Sequence, residues 1–351
     1  MAAAEPSAEG RKQHEAWLDR RVPPVERIRP GLWSLPIVIP NSPLRYVIAY
    51  AIELPDGVAL VDTGWPHDES WAALEGGLGS IGFNVEDVRY VLITHAHIDH
   101  HGLTHRIKER SGAVVVMHAI EGEVIREHEA GKSGAVDADI EWLTARGANK
   151  AQLATMQEQK YQGGDSIDLE AVLPDLTVQD GDRPLPGRPD VVAVWTPGHT
   201  RGHLCFYLEN DRILLSGDNV LPRITPHVTR AAYVPLDPAL TNYLDSLKRV
   251  AALDVVEVLP AHEYRFSDLP SRINTMLDHH DERFLEILDA VRNGAQSTWE
   301  VAERISWSRG WEATSGFMRQ TALAETYTHL KYLEANGRVR QVSSTPDVWA
   351  I

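Results

Sequence analysis

The nine residues Thr94-His-Ala-His-Ile-Asp-His-His-Gly102 constrain this chain more than any other stretch. They follow the apolar run Tyr90-Val-Leu-Ile93, which reads as a buried strand, so the cluster begins where a strand ends. His95 and His97, separated by one residue, can turn both imidazoles toward one cation. Asp99 and His100, after a tight turn, can reach a second cation a few ångströms away. Zinc takes imidazole nitrogen and carboxylate oxygen readily and keeps a position open for water when it is catalytic.

One cluster cannot complete two coordination spheres, and four other apolar runs end in the same manner. Val58–Gly64 ends at Asp62, Val191–Thr200 at His199, Arg212–Asp218 at Asp218 and Val255–His262 at His262. Loops past strand ends can converge on one site. The spacing assigns His95, His97 and His199 to one ion and Asp99, His100 and His262 to the other, with Asp218 bridging. Asp62 is read as orienting the histidine loop. Cys205 is the single cysteine, so neither an internal disulfide nor a multi-cysteine zinc cluster is available. Two divalent ions are expected: zinc foremost, with manganese or iron also suited to these ligands.

Other histidines carry plainer readings. His101 and His105 beside the cluster suit a supporting or surface role, and His203 suits either support of the site or packing. His279 and His280 lie on a helical stretch. Cys205, within His-Leu-Cys-Phe-Tyr-Leu, reads as a buried strand residue.

At 351 residues the chain exceeds one ordinary domain. Residues 70–81 and 240–253 show helical spacing between strands. Residues 119–162, extending to about 168, are charged and Gly-broken without a strand-like run, and read as a helical insertion. From 271 helices dominate: Ile273, Met276, Leu277, Phe284, Ile287, Leu288 and Val291 share a face. Ser297 and Glu300 make a capping box, Gly337 a helix C-cap, and two β runs close the chain. That is the outline of a winged-helix module. The expected division is a catalytic domain over 1–270 and a winged-helix-like domain over 271–351.

No apolar run reaches the length of about 18 residues that a membrane helix needs. The stretch Met-Ala-Ala-Ala-Glu-Pro-Ser at the start lacks the apolar core of a secretory signal, so a cytoplasmic protein is expected. The net charge of −16 argues against polyanionic partners.

The order of Val-Asp-Thr-Gly, His-x-His-x-Asp-His, Thr-Pro-Gly-His-Thr, Ser-Gly-Asp and a final strand-end histidine resembles the metallo-β-lactamase superfamily over roughly residues 30–265. The resemblance implies an α/β fold, an αββα sandwich with metals at one sheet edge. His100 and Asp218 depart from the cysteine-ligand β-lactamases. They match the glyoxalase II, lactonase and thioesterase branches and several nucleases. The implied reaction is hydrolysis of a small-molecule ester, lactone or thioester by a hydroxide bridging the metals, with Asp99 or Asp218 moving the proton. The alternative is an endoribonuclease of single-stranded RNA, because the tail resembles that of a ribonuclease of this fold. The balanced charges of Arg319, Lys331, Glu325 and Glu334 on the tail's candidate recognition helix argue against it. The tail's apolar face suits packing on the catalytic domain or a homodimer contact. His227 and Tyr233 are candidate substrate contacts. Trp142, Leu143, Leu153, Met156 and Tyr161 of the insertion would either wall an acyl pocket or pack the helices onto the sandwich.

Overall fold

The computed structural model describes residues 1–131, 135–161, 172–228 and 238–351. They form two compact units, each drawn from separate stretches of chain. The first takes Met1–His128, Ile167–Pro226 and Ser246–Asn274; the second takes Glu129–Ser166, His227–Asp245 and Thr275–Ile351.

Two sheets make the first unit. The larger runs in spatial order through β1 (Glu26–Arg29), β2 (Leu32–Val38), β3 (Tyr46–Leu54), β4 (Gly57–Val61), β5 (Val88–Leu92), β6 (Val114–His118) and β7 (Leu176–Val178). Pairing is antiparallel from β1 to β4 and parallel from β4 to β7. The smaller sheet holds β8 (Val191–Trp195), β9 (Leu204–Leu208), β10 (Ile213–Gly217) and β11 (Glu257–Pro260) in the order β11-β10-β9-β8. Within it only β10 and β11 are parallel.

Alternation of side chains along each strand decides which core a residue joins. On β3, Tyr46, Ile48, Tyr50 and Ile52 cluster with Phe206, Leu208, Ile213, Leu215 and Leu259 of the smaller sheet, which makes the layer between the sheets. Their alternates Val47, Ala49 and Ala51 join Leu35, Ile37, Trp71, Leu74, Leu78 and Ile107. The last four are helical. After α1 (Arg11–Leu18), they come from α2 (Asp68–Ser80) and, past the short α3 (Ile98–His101), from α4 (Thr104–Ser111). The result is the expected α/β sandwich of packed sheets with helices against the outer face. Burying apolar side chains at about 1.5–3 kcal/mol each drives this layering.

The insertion is helical as expected, with α5 (Ala119–Gly131), α6 (Ala135–Ala145) and α7 (Lys150–Tyr161), followed later by α8 (Ala239–Ala251). The C-terminal region gives α9 (Leu269–Arg292), α10 (Thr298–Arg304), α11 (Gly316–Ala335) and a hairpin of β12 (Arg340–Ser344) and β13 (Asp347–Ala350). The local signals are met. Ser297 Oγ accepts from Glu300 N–H at 3.2 Å while the Glu300 carboxylate accepts from Ser297 N–H at 3.2 Å. Gly337, at φ 66°, lets its own N–H and that of Arg338 bond back to Glu334 and Leu333. Leu143 and Met156 are buried with Trp299, Ala302 and Leu323, and Trp142, Leu153, Trp307 and Trp311 pack on them. The insertion's apolar residues therefore share a core with the C-terminal helices, a partner that neither sequence reading named. Tyr233, and the side chain of Tyr161, lie outside the described residues. Among the described residues, no helix is long and apolar enough to cross a membrane.

Candidate metal centre

The first unit brings all seven expected ligands together from strand ends of both sheets. His95 and His97 follow β5, Asp99 and His100 sit in α3, His199 lies between β8 and β9, and Asp218 and His262 follow β10 and β11. The loops are held tightly. Thr63 N–H and Oγ1 both donate to the His100 carbonyl, at 2.7 and 2.9 Å, which fixes the turn carrying Asp99 and His100. A Cβ at Gly102 would stand 2.4 Å from both the Ile98 carbonyl oxygen and Pro66 Cδ, so only glycine lets these segments close.

Three ring nitrogens meet on one side. His95 Nε2 lies 2.9 Å from His97 Nδ1, and His199 Nε2 lies 3.2 and 3.1 Å from those two. A ring nitrogen donates or accepts but does not do both, so hydrogen bonds cannot satisfy all three edges of this triangle. A shared cation can: zinc–nitrogen bonds of about 2.0–2.1 Å in a tetrahedron separate ligand atoms by roughly 3.4 Å.

Beside the triangle stands a mixed set. His262 Nε2 is 3.3 Å from Asp99 Oδ2, and His100 Nε2 is 3.7 Å from Asp99 Oδ1. Asp218 spans both halves: Oδ1 faces His262 Nε2 at 3.5 Å and His100 Nε2 at 3.6 Å, and Oδ2 faces His199 Nε2 at 3.6 Å. His100 Nε2, His262 Nε2 and Asp218 Oδ1 are buried and make no hydrogen bond. Buried polar atoms are normally paired, and three orphans facing one another fit a cation. The donor atoms thus group as His95/His97/His199, Asp99/His100/His262, and His95/His100/Asp218.

The far nitrogens of His95, His100 and His262 are committed elsewhere, which orients these rings. His100 Nδ1 donates to Asp62 Oδ2 at 2.8 Å. Thr94 N–H donates to Asp62 Oδ1 at 2.8 Å, and Thr94 Oγ1 lies 2.9 Å from Oδ2. With its proton on Asp62, that hydroxyl accepts from His95 Nδ1 at 3.0 Å. His262 Nδ1 donates to the Tyr46 carbonyl at 3.1 Å. His203 donates from Nδ1 to Thr196 Oγ1 at 2.8 Å and accepts the Asp218 amide at Nε2, 3.2 Å away, so it steadies the Asp218 backbone. Asp62 thus contacts the His100 ring, and His203, left between support and packing by the sequence, contacts the Asp218 backbone. Thr94 and Thr196 were missed, because a threonine at a strand end is an ordinary β-former.

Charge divides the cluster. Burial, and then the neighbouring rings of His100, His97 and His199, hold His95 well below its ordinary pKa. Crowding by the cluster and the nearby His199 ring likewise lower His97, to about 3, although the residue as a whole is exposed. Burial opposes charge on His100 too, but Asp99, Asp218 and Asp62 outweigh it and raise this ring well above the ordinary value. Asp99 and Asp218 are pushed up by burial and pulled down further by the adjacent histidines, so both stay ionised. Against burial, His262 is likewise raised by Asp218 and Asp99, so the carboxylates favour positive charge at the His100 and His262 rings, where a bound cation would take the proton's place.

The remaining residues are placed as follows. His101 is buried with Nε2 donating to the Val172 carbonyl at 3.0 Å, and His105 lies 3.4 Å from Glu109 on α4. Cys205 is buried in β9, where burial raises its thiol to about 12. His227 belongs to the second unit and lies 3.9 Å from the Glu325 carboxylate.

Known proteins resemble the chain in sequence and fold. Lactamase-like protein adaB of Aspergillus niger is 34% identical over 129 residues, 36% of this chain and 38% of that protein. An atrochrysone carboxyl ACP thioesterase of Aspergillus fumigatus is 34% identical over 119 residues, 32% of this chain and 26% of that protein. Both matches span well under two thirds of the relative. A metallo-beta-lactamase family protein from Thermus thermophilus superposes with a TM-score of 0.74 at 29% identity, covering 92% of this chain and 99% of that one. The family model of the metallo-beta-lactamase superfamily matches residues 43–262, a span that runs from the threshold of β3 to the last histidine of the cluster. The chain is a member of the metallo-beta-lactamase superfamily.

Proposed function

We propose that this chain is a metal-dependent hydrolase of a small-molecule ester, lactone or thioester, working with two divalent ions, zinc first among them. The observation that carries the reading is the meeting of three converging ring nitrogens with three buried, unbonded donors, His100 Nε2, His262 Nε2 and Asp218 Oδ1. His95, His97 and His199 would hold one ion and Asp99, His100 and His262 the other, with an oxygen of Asp218 toward each. Such a pair supplies Lewis acidity toward a carbonyl oxygen and a hydroxide nucleophile at neutral pH.

The chain's own groups do the rest. Asp62 engages the His100 ring at Nδ1 and, through Thr94, the His95 ring at Nδ1, which leaves the Nε2 atom of each aimed inward. Asp99 and Asp218, held ionised by the histidines, are the acceptors for a proton released during cleavage and can return it to the leaving group. The likeness to a carboxyl ACP thioesterase supports placing thioesters among the substrates. We read the three C-terminal helices and hairpin as a winged-helix-like appendage.

A panel of lactones, acyl thioesters, nitrophenyl esters and single-stranded RNA, assayed with added zinc or manganese, tests this. Turnover of a carboxyl derivative is expected, abolished by chelator and by His97→Ala. Cleavage of RNA alone, or full metal loading without turnover of any carboxyl compound, would overturn the proposal.

A further inference from the structure

Resting on the two-ion reading, we infer that Glu121 is a positioning residue that keeps the three-histidine site in shape. The nitrogens of that site come from two loops hung on different sheets: His95 and His97 follow β5, and His199 follows β8. Loops on separate sheets shift independently unless something ties them. Glu121, in the first turn of α5, is fully buried and gives one carboxylate oxygen to each loop. Oε2 accepts from the N–H of Ala96, the residue between His95 and His97, at 2.8 Å. Oε1 accepts from the N–H of Gly202, in the His199 loop, at 2.7 Å.

Both bonds have the short length of charge-assisted contacts. A carboxylate is costly to bury, and here its two oxygens are met by backbone amides of the ligand-bearing loops. The approach also depends on a missing side chain. A Cβ at Gly202 would stand 2.8 Å from Glu121 Oε1 and 2.9 Å from its Cγ. Glu121 is not among the grouped metal-binding side chains, so its part is to set the distance between loops that must agree to tenths of an ångström.

The test is a zinc titration of metal-stripped full-length protein against a chromophoric chelator. The wild type is expected to take two equivalents. Glu121→Ala is expected to weaken one of them by about 10–100-fold and leave the other as it was. Glu121→Gln, which keeps one carbonyl acceptor at the same reach, should recover part of the loss. Gly202→Ala, which displaces the carboxylate without removing it, should reproduce the loss if Glu121→Ala does not fold. Adding Glu121→Ala to His262→Ala should weaken zinc further, whereas adding it to His199→Ala should not. Wild-type affinity in the folded variants, or equal weakening of both ions, overturns the inference while leaving the two-ion reading intact. A wild type that takes up no zinc removes both.

Discussion

Asp62 engages both the Thr94 amide and hydroxyl and the His100 ring, and through Thr94 it reaches His95. Its backbone sits at φ 61°, a conformation few non-glycine residues adopt, and that turn aims the carboxylate at both partners. Replacing it with Asn offers an amide NH2 where an acceptor is needed. Asp62→Asn is therefore expected to weaken metal affinity by about 10–100-fold while the protein stays folded. Competition with a chelator reads this, and wild-type affinity would show that Asp62 does not orient the ligands. The convergence of the seven residues was legible in the sequence because they lie at or just past the ends of apolar runs. Thr94 was not, since nothing in its neighbours distinguishes a hydroxyl that links Asp62 to His95 from one that faces a strand partner. His227 stands near a glutamate far along the chain, a pairing that no local spacing announces.

Among the elements, the start of β11 is braced by an ion network that the sequence did not suggest. Glu257 is buried and meets Arg265 Nη1 at 2.9 Å, Arg29 Nη2 at 3.1 Å and the Ser7 hydroxyl. Removing one member of a buried network leaves the others charged and unpaired. Glu257→Ala is expected to lower unfolding free energy by about 3 kcal/mol, measured by denaturant titration; a change near zero would mean that Arg265 finds equal partners elsewhere. In the second unit, α9 and α11 meet through His280 Nδ1, which donates to His329 Nε2 at 3.0 Å, while His329 Nδ1 donates to the Glu325 carbonyl at 2.8 Å. Burial, then the neighbouring His329 and His279, pull His280 down to about 3. The unfolded chain, with an ordinary value of 6.5, binds more protons across that interval, so stability falls as pH drops from 6.5 toward about 3. His280→Gln cannot take up that proton and should flatten the fall between about pH 7 and about pH 5 in thermal melts. An unchanged slope would count against a neutral, buried His280. Periodicity places His280 on a helix, but only packing against α11 decides that it stays unprotonated.

For the whole molecule, the sandwich and its edge follow from the apolar runs, because parallel strands put their C-terminal ends on one side and the polar residues with them. The division of the chain does not follow so simply. A cut near 270 treats the insertion as part of the catalytic region, whereas the compact units are interleaved and group Glu129–Ser166 with Thr275–Ile351. The insertion's Leu143 and Met156 complete a core with Trp299 and Leu323, and a pairing across such a separation leaves no trace in local pattern. Most of the chemistry proposed for this protein reduces to whether the cluster at these strand ends holds cations. Elemental analysis of the purified full-length chain tests that most directly. Two equivalents of a divalent transition metal per chain, removed by chelator together with activity, are predicted; a folded protein that takes up none would contradict the account.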